Sequence, residues 1–138
     1  KSHIEAVVTK SQCHTSQENI FLNIDANRIK QALLNLFLNA VEAMPKGGRL
    51  TVASLVSRIS SLETFVITIA DTGSGIPPED LKHIFDPFFS RKDNGTGLGL
   101  AIVQGIVEQH KGKIRITSKA GVGTTVKVEL PIEEVAKG

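Results

Sequence analysis

Residues 26–44 read ANRIKQALLNLFLNAVEAM, and how this stretch coils decides the fold. At about 100° per residue, Arg28, Gln31, Asn35, Asn39 and Glu42 share an arc of roughly 80°. Around the remaining circumference every residue from Ile29 on is apolar except Lys30: Ile29, Ala32, Leu33, Leu34, Leu36, Phe37, Leu38, Ala40, Val41, Ala43 and Met44. Asp25 is suited to cap the start of this helix, and Pro45, Gly47 and Gly48 to end it. A helix this apolar is expected to be buried on most sides, which makes its polar stripe the wall of a site.

Working outward, Arg49–Ser57 and Thr64–Ala70 alternate as strands, with Arg58–Glu63 as the turn between them. A loop, Asp71–Gly75, precedes a short helix opened by Pro77-Pro78-Glu79-Asp80 and running to about Phe85. Asp86–Thr96 reads as irregular and lid-like. Helix returns from about Gly97 to His110, stopped by Gly112. Lys113–Ser118 and Thr124–Leu130 form a hairpin around Ala120–Gly123, and Pro131 closes it. Upstream, Ile20–Ile24 reads as a short strand, and residues 1–19 as an opening strand or linker. The order β-α-β-β-loop-α-lid-α-β-β predicts a two-layer α+β sandwich rather than a doubly wound parallel sheet. Residues 20–132 are expected to be the folded domain, with 1–19 a strand or linker remnant and 133–138 a tail.

The chain has 138 residues, 41% of them hydrophobic and 22% charged, which fits one folded domain. Its net charge of +2 comes with no dense basic block, so no nucleic-acid partner is expected. A single cysteine, Cys13, excludes an internal disulfide framework and fits a reducing compartment. No apolar run reaches the ~18–20 residues of a membrane span, so no membrane contact is expected and a cytoplasmic location is.

Three stretches carry chemistry. Asn35 and Asn39 stand one turn apart, and an amide carbonyl is a hard neutral ligand for a magnesium ion that draws its other ligands from phosphates and water. In Asp71-Thr72-Gly73-Ser74-Gly75-Ile76, a carboxylate at a strand end can accept from an exocyclic amine while glycines admit a flat ring. Gly95-Thr96-Gly97-Leu98-Gly99-Leu100 leads into an uncharged helix, as suits phosphate binding by backbone amides. No Lys-Ser/Thr pair follows it, which excludes a P-loop. Between these lies Phe85-Asp86-Pro87-Phe88-Phe89, followed by the cations Arg91 and Lys92.

Taken in order, Asn35–Ala40, Asp71–Ile76, Phe85–Phe89 and Gly95–Leu100 resemble the N, G1, F and G2 boxes of sensor histidine kinases. The resemblance covers about Ile20 to Pro131, and four motifs in fixed order are far more specific than any one. The Asn39–Met44 stretch and the short lid resemble the nitrogen-regulation and sporulation branches most. The resemblance implies the Bergerat ATP-binding fold of the GHKL superfamily, a mixed, mostly antiparallel sheet with three helices on one face. It implies ATP and Mg2+ as cofactors, with Asn39 as the magnesium ligand and Asn35 beside it near the phosphates. By the same resemblance Asp71 accepts from the adenine amino group, within a pocket of Gly73, Gly75 and Ile76. Thr124 helps through water, since Gly123-Thr124 resembles the family's closing pair. Phe85, Gly95, Thr96 and Leu100 would border the nucleotide, and Gly97, Leu98 and Gly99 would offer backbone donors to the phosphates. Lys92 would reach the terminal phosphate and join Asn35 and Asn39 as a catalytic residue. Glu42 stands where many of these kinases have Lys or Arg.

Position 35 bears on the reaction. ATP-hydrolysing relatives and anti-sigma serine kinases typically carry Glu four residues before the magnesium Asn, as a general base. Asn35 cannot remove a proton at neutral pH, which leaves transfer to a nucleophile supplied from elsewhere, and imidazole is a competent one. His3, His14, His83 and His110 lack the context of an acceptor box and are expected to be incidental. The implied function is donation of the γ-phosphoryl group to a histidine on a helical dimerisation domain, in cis in the full protein and upstream of Lys1, serving a response regulator indirectly. Two alternatives stay open: a GHKL ATPase or serine kinase, and a nucleotide-gated interaction module that transfers nothing.

Overall fold

Alternation along the Thr64–Ala70 run sends Phe65, Ile67 and Ile69 to one side of the chain and Val66, Thr68 and Ala70 to the other, and this parity organises the whole sheet. In the computed structural model, which describes residues 3–10, 24–59, 62–87 and 99–132, the elements are β1 (Ile4–Lys10), α1 (Ala26–Glu42), β2 (Gly48–Ile59), β3 (Leu62–Asp71), α2 (Pro78–Leu81), α3 (Gly99–Gln109), β4 (Lys113–Lys119) and β5 (Gly123–Pro131). The strands lie in the order β1-β2-β3-β5-β4; β1 pairs parallel with β2, and every other pairing is antiparallel. Register sets Ile69 between Val52 and Val126, and Asp71 between Leu50 and Thr124. On the outer strand β4, Ile116 faces Val126 and Ser118 faces Thr124.

That face meets the helices. Ile69, Val126, Val128 and Leu130 pack with Ile29, Ala32 and Leu36 of α1 and with Val103, Ile106 and Val107 of α3. Val103 and Val107 are fully buried, a contribution of about 1.5–3 kcal/mol for each side chain of this size. The expected two-layer α+β sandwich with a mostly antiparallel sheet is borne out.

Asp25 caps α1, its Oδ1 accepting from the Asn27 and Arg28 N–H groups at 3.1 and 3.3 Å. The apolar circumference of α1 is less enclosed than expected. Ile29, Ala32, Leu36 and Ala40 are buried, whereas Leu34, Leu38 and Val41 are exposed. A helix lying on one sheet turns its far side away from it, and among the described residues nothing else covers that side.

Several boundaries move for local reasons. Strands β2 and β3 run through the expected turn to Ile59 and Leu62, held by a 3.2 Å Arg58–Glu63 ion pair across the ladder. Helix α2 is a single turn ending at Leu81 rather than near Phe85. At the end of α3, Lys111 rather than a glycine takes the left-handed backbone, with φ of 60°. Its N–H bonds Glu108 O at 3.0 Å, and the Gly112 N–H bonds Val107 O at 2.9 Å, the paired closure of a Schellman motif. The opening strand expected within residues 1–19 is β1, an edge strand paired parallel with β2. The expected strand over Ile20–Asn23 lies outside the described residues, and Ile24 belongs to no strand.

Candidate functional site

The last residue of β3 is Asp71, on the helix-facing side of a central strand. Its Oδ1 accepts two backbone N–H bonds, from Gly73 at 2.8 Å and from Thr124 at 3.3 Å. Both fall on one oxygen, so Oδ2 is left for another donor. Burial pushes the Asp71 carboxyl above its ordinary range, and the Gly73 and Thr124 N–H groups pull against that without cancelling it.

The loop after Asp71 is fastened on both sides. Towards α1, the Ser74 N–H bonds Ala43 O at 3.1 Å, and a Cβ on Gly73 would lie 2.5 Å from that same oxygen. Thr72 Oγ1 accepts from the Arg49 N–H at 2.9 Å and donates to Met44 Sδ at 3.7 Å. Towards the β4–β5 hairpin, the Gly121 N–H bonds Ser74 O at 2.7 Å, and the Ile76 N–H bonds Ser118 Oγ at 2.8 Å.

Gly75 takes φ of 72°, and a Cβ there would fall 2.1 Å from Lys119 O. Left-handed backbone alone costs a side chain about 1–2 kcal/mol, and the clash adds to it. Gly75→Ala is therefore expected to lower the thermal midpoint by about 5–10 °C, measured by circular dichroism. Gly105, in α3 with nothing within 4 Å of its missing Cβ, gives the contrasting case: Gly105→Ala is expected to raise the midpoint through helix propensity.

Asn35 and Asn39 lie half-buried on α1. Asn39 faces the first residue of α3: a Cβ on Gly99 would stand 3.8 Å from its Oδ1 and 3.9 Å from its Nδ2. Asn39 therefore lies beside a helix start, where N–H groups lack intrahelical partners. Leu100 packs against the core, and Phe85 is half-buried next to buried Ile84. Among the described residues no three His, Cys, Asp or Glu side chains converge as a metal cage. Asn39 fits instead a magnesium ion that arrives with phosphate oxygens and water as its other ligands.

The structure thus brings Asp71, Gly73, Gly75, Ile76 and Thr124 to one end of the sheet, and joins them through Ala43 to the helix carrying Asn35 and Asn39. Phe88, Phe89, Arg91, Lys92, Gly95, Thr96, Gly97 and Leu98 lie outside the described residues. Residues 24–134 match the family described as histidine kinase-, DNA gyrase B- and HSP90-like ATPase. The chain belongs to this family. Sensor histidine kinase ZraS of Salmonella typhi is 43% identical over 111 residues, which are 80% of this chain and 23% of ZraS. Sporulation kinase C of Bacillus subtilis is 41% identical over 116 residues, 84% of this chain and 26% of that kinase. The solved full-length ShkA in complex with AMPPNP superposes with a TM-score of 0.76 at 28% identity, over 96% of this chain and 26% of ShkA. The chain spans about a quarter of the length of these relatives. It is a catalytic domain of the histidine-kinase type of this ATPase family, as the four boxes imply. No helix among its described residues is long and apolar enough to cross a membrane.

Three supporting residues of this histidine-kinase-type domain escape a reading of the sequence. Thr72 and Ser118 tie the loop after Asp71 to its neighbours, but a hydroxyl in a loop or alternating strand looks like ordinary surface. His110 accepts from the Asp25 N–H through Nε2 at 2.9 Å and donates from Nδ1 to Ile106 O at 2.7 Å, pinning the start of α1 to the end of α3. It is structural rather than incidental, and only its 85-residue separation from Asp25 hid that.

Proposed function

We propose that this domain binds Mg-ATP and donates the γ-phosphoryl group to a histidine on a separate helical dimerisation and phosphoacceptor domain, in cis in the full protein, in the cytoplasm and upstream of a response regulator. The observation that supports transfer over hydrolysis is the amide at Asn35, one turn from Asn39, which lies beside the start of α3. An amide neither takes a proton from water nor carries charge, so that turn of α1 positions a phosphate without activating a nucleophile.

The remaining roles are those the family resemblance implies. Asp71 Oδ2 accepts from the adenine amino group, and Gly73, Gly75 and Ile76 form the loop beneath the ring, with Thr124 reading the base through water. Asn39 offers its amide carbonyl to magnesium, which when bound supplies charge neutralisation at the phosphates. Phe85 and Leu100 border the nucleotide, as would Gly95 and Thr96. Gly97, Leu98 and Gly99 give backbone donors, and Lys92 a cation at the terminal phosphate.

With γ-labelled ATP and a helical acceptor domain, label is expected on the acceptor histidine, in an acid-labile linkage, only when both proteins are present. Steady phosphate release without the acceptor would instead mark an ATPase, and bound nucleotide with no transfer an interaction module.

A further inference from the structure

Ser118, Thr124 and Asp71 stand side by side across β4, β5 and β3, in register on the helix-facing side of the sheet. Three hydrogen-bonding groups meet at Ser118 Oγ. The Ile76 N–H donates to Oγ at 2.8 Å, Gly123 O lies 3.0 Å away, and Thr124 Oγ1 lies 2.7 Å away. A serine hydroxyl has one hydrogen, and a carbonyl oxygen can only accept. Ser118 therefore gives its hydrogen to Gly123 O, and the short contact to Thr124 is made by the hydrogen of Thr124. With that hydrogen turned towards Ser118, Thr124 presents lone pairs elsewhere. Its neighbour Asp71 also presents an acceptor, since both N–H bonds to that carboxylate fall on Oδ1.

We propose that Ser118 is a positioning residue that fixes the Thr124 hydroxyl as an acceptor beside Asp71, and thereby biases the site towards 6-aminopurine over 6-oxopurine nucleotides. The inference rests on the nucleotide reading above. A 6-amino group brings a donor to a row of acceptors, directly or through a water that donates to Thr124. A 6-oxo group brings an acceptor against acceptors, and Thr124 cannot turn to meet it while Ser118 holds its hydrogen. Removing the Ser118 hydroxyl releases Thr124 to donate.

The test is calorimetric titration of the chain with ATP and with ITP, each in the presence of magnesium, for the wild type, Ser118→Ala and Ser118→Thr. The ATP-over-ITP affinity ratio is expected to fall roughly three- to tenfold in Ser118→Ala, about the worth of one neutral hydrogen bond, and to return in Ser118→Thr. A hairpin merely loosened by the substitution weakens both nucleotides alike and leaves the ratio where it was. An unchanged ratio in Ser118→Ala, or a lowered one in Ser118→Thr, overturns the role given to Ser118 while ATP binding by the wild type stands. No ATP binding by the wild type overturns the nucleotide reading itself.

Discussion

Asp71→Asn is expected to leave the domain folded and to weaken ATP binding by about 100-fold or more. The carboxylate accepts the Gly73 and Thr124 N–H groups on Oδ1, and the proposed adenine amino contact falls to Oδ2. An amide keeps the first pair only by placing its NH2 against the purine amino group, donor against donor. A charge-assisted bond worth about 1.5–3 kcal/mol is lost and a donor is left unpaired, which together exceed the ~2.7 kcal/mol of a 100-fold change. Folding should not suffer. Burial raises the Asp71 pKa above its ordinary value of 3.8, so the folded chain holds this proton more tightly than the unfolded chain does. The stability Asp71 contributes is thus present at low pH and lost as pH rises through the raised value. A neutral amide avoids that cost at neutral pH. Calorimetry paired with thermal unfolding checks both halves, and a folded variant with wild-type affinity would remove Asp71 from the base site. The same shift sets the pH dependence of binding in the wild type. Affinity should fall on acidification at a pH above that of an ordinary aspartate, because the protonated carboxyl stops accepting on Oδ2.

Asn39→Ala should cut the rate of magnesium-dependent phosphoryl transfer by roughly 100- to 1,000-fold, the scale of losing one preorganised electrostatic contact at a reacting phosphate. Alanine is the better helix former, so α1 should persist. Nucleotide binding measured with a chelator present should be close to that of the wild type, because the proposed reading of the base falls to Asp71. Transfer followed across a magnesium titration separates the two effects. A variant with full rate at every magnesium concentration would take the metal away from position 39.

The layers of the fold were legible because they depend on period. The 3.6-residue repeat of α1 and the alternation of β3 and β5 each survive into the packed core, with Leu36, Ile69 and Val126 inside as their positions require. The candidate site stood out where the sequence holds a rare arrangement, as with two amides one turn apart or a carboxylate heading a glycine loop, and its roles remain the proposal above. What escaped depends on partners remote in the chain. The sequence offers Gly112 as the stop of this helix, and only the closure onto Val107 and Glu108 makes Lys111 the left-handed residue. Arg58 and Glu63 read as turn residues until the ladder sets them opposite one another. Ser118 gains its meaning from Ile76, 42 residues away. The apolar run of α1 said how much greasy surface there is, but not that Leu34, Leu38 and Val41 would be left outside.

The bonds from Ser74 to Ala43 and from Thr72 to Met44 turn the last turn of α1 into a ruler. Asn39 stands four residues before Ala43, about 6 Å along the axis at 1.5 Å per residue. The spacing between the residues proposed to hold the ring and the one proposed to hold the metal is therefore set by helical rise and not by a yielding loop. Nucleotides with a longer or shorter reach between ring and phosphates meet a fixed gauge, and one residue gained or lost between Asn39 and Ala43 would swing the amide about 100° off its mark.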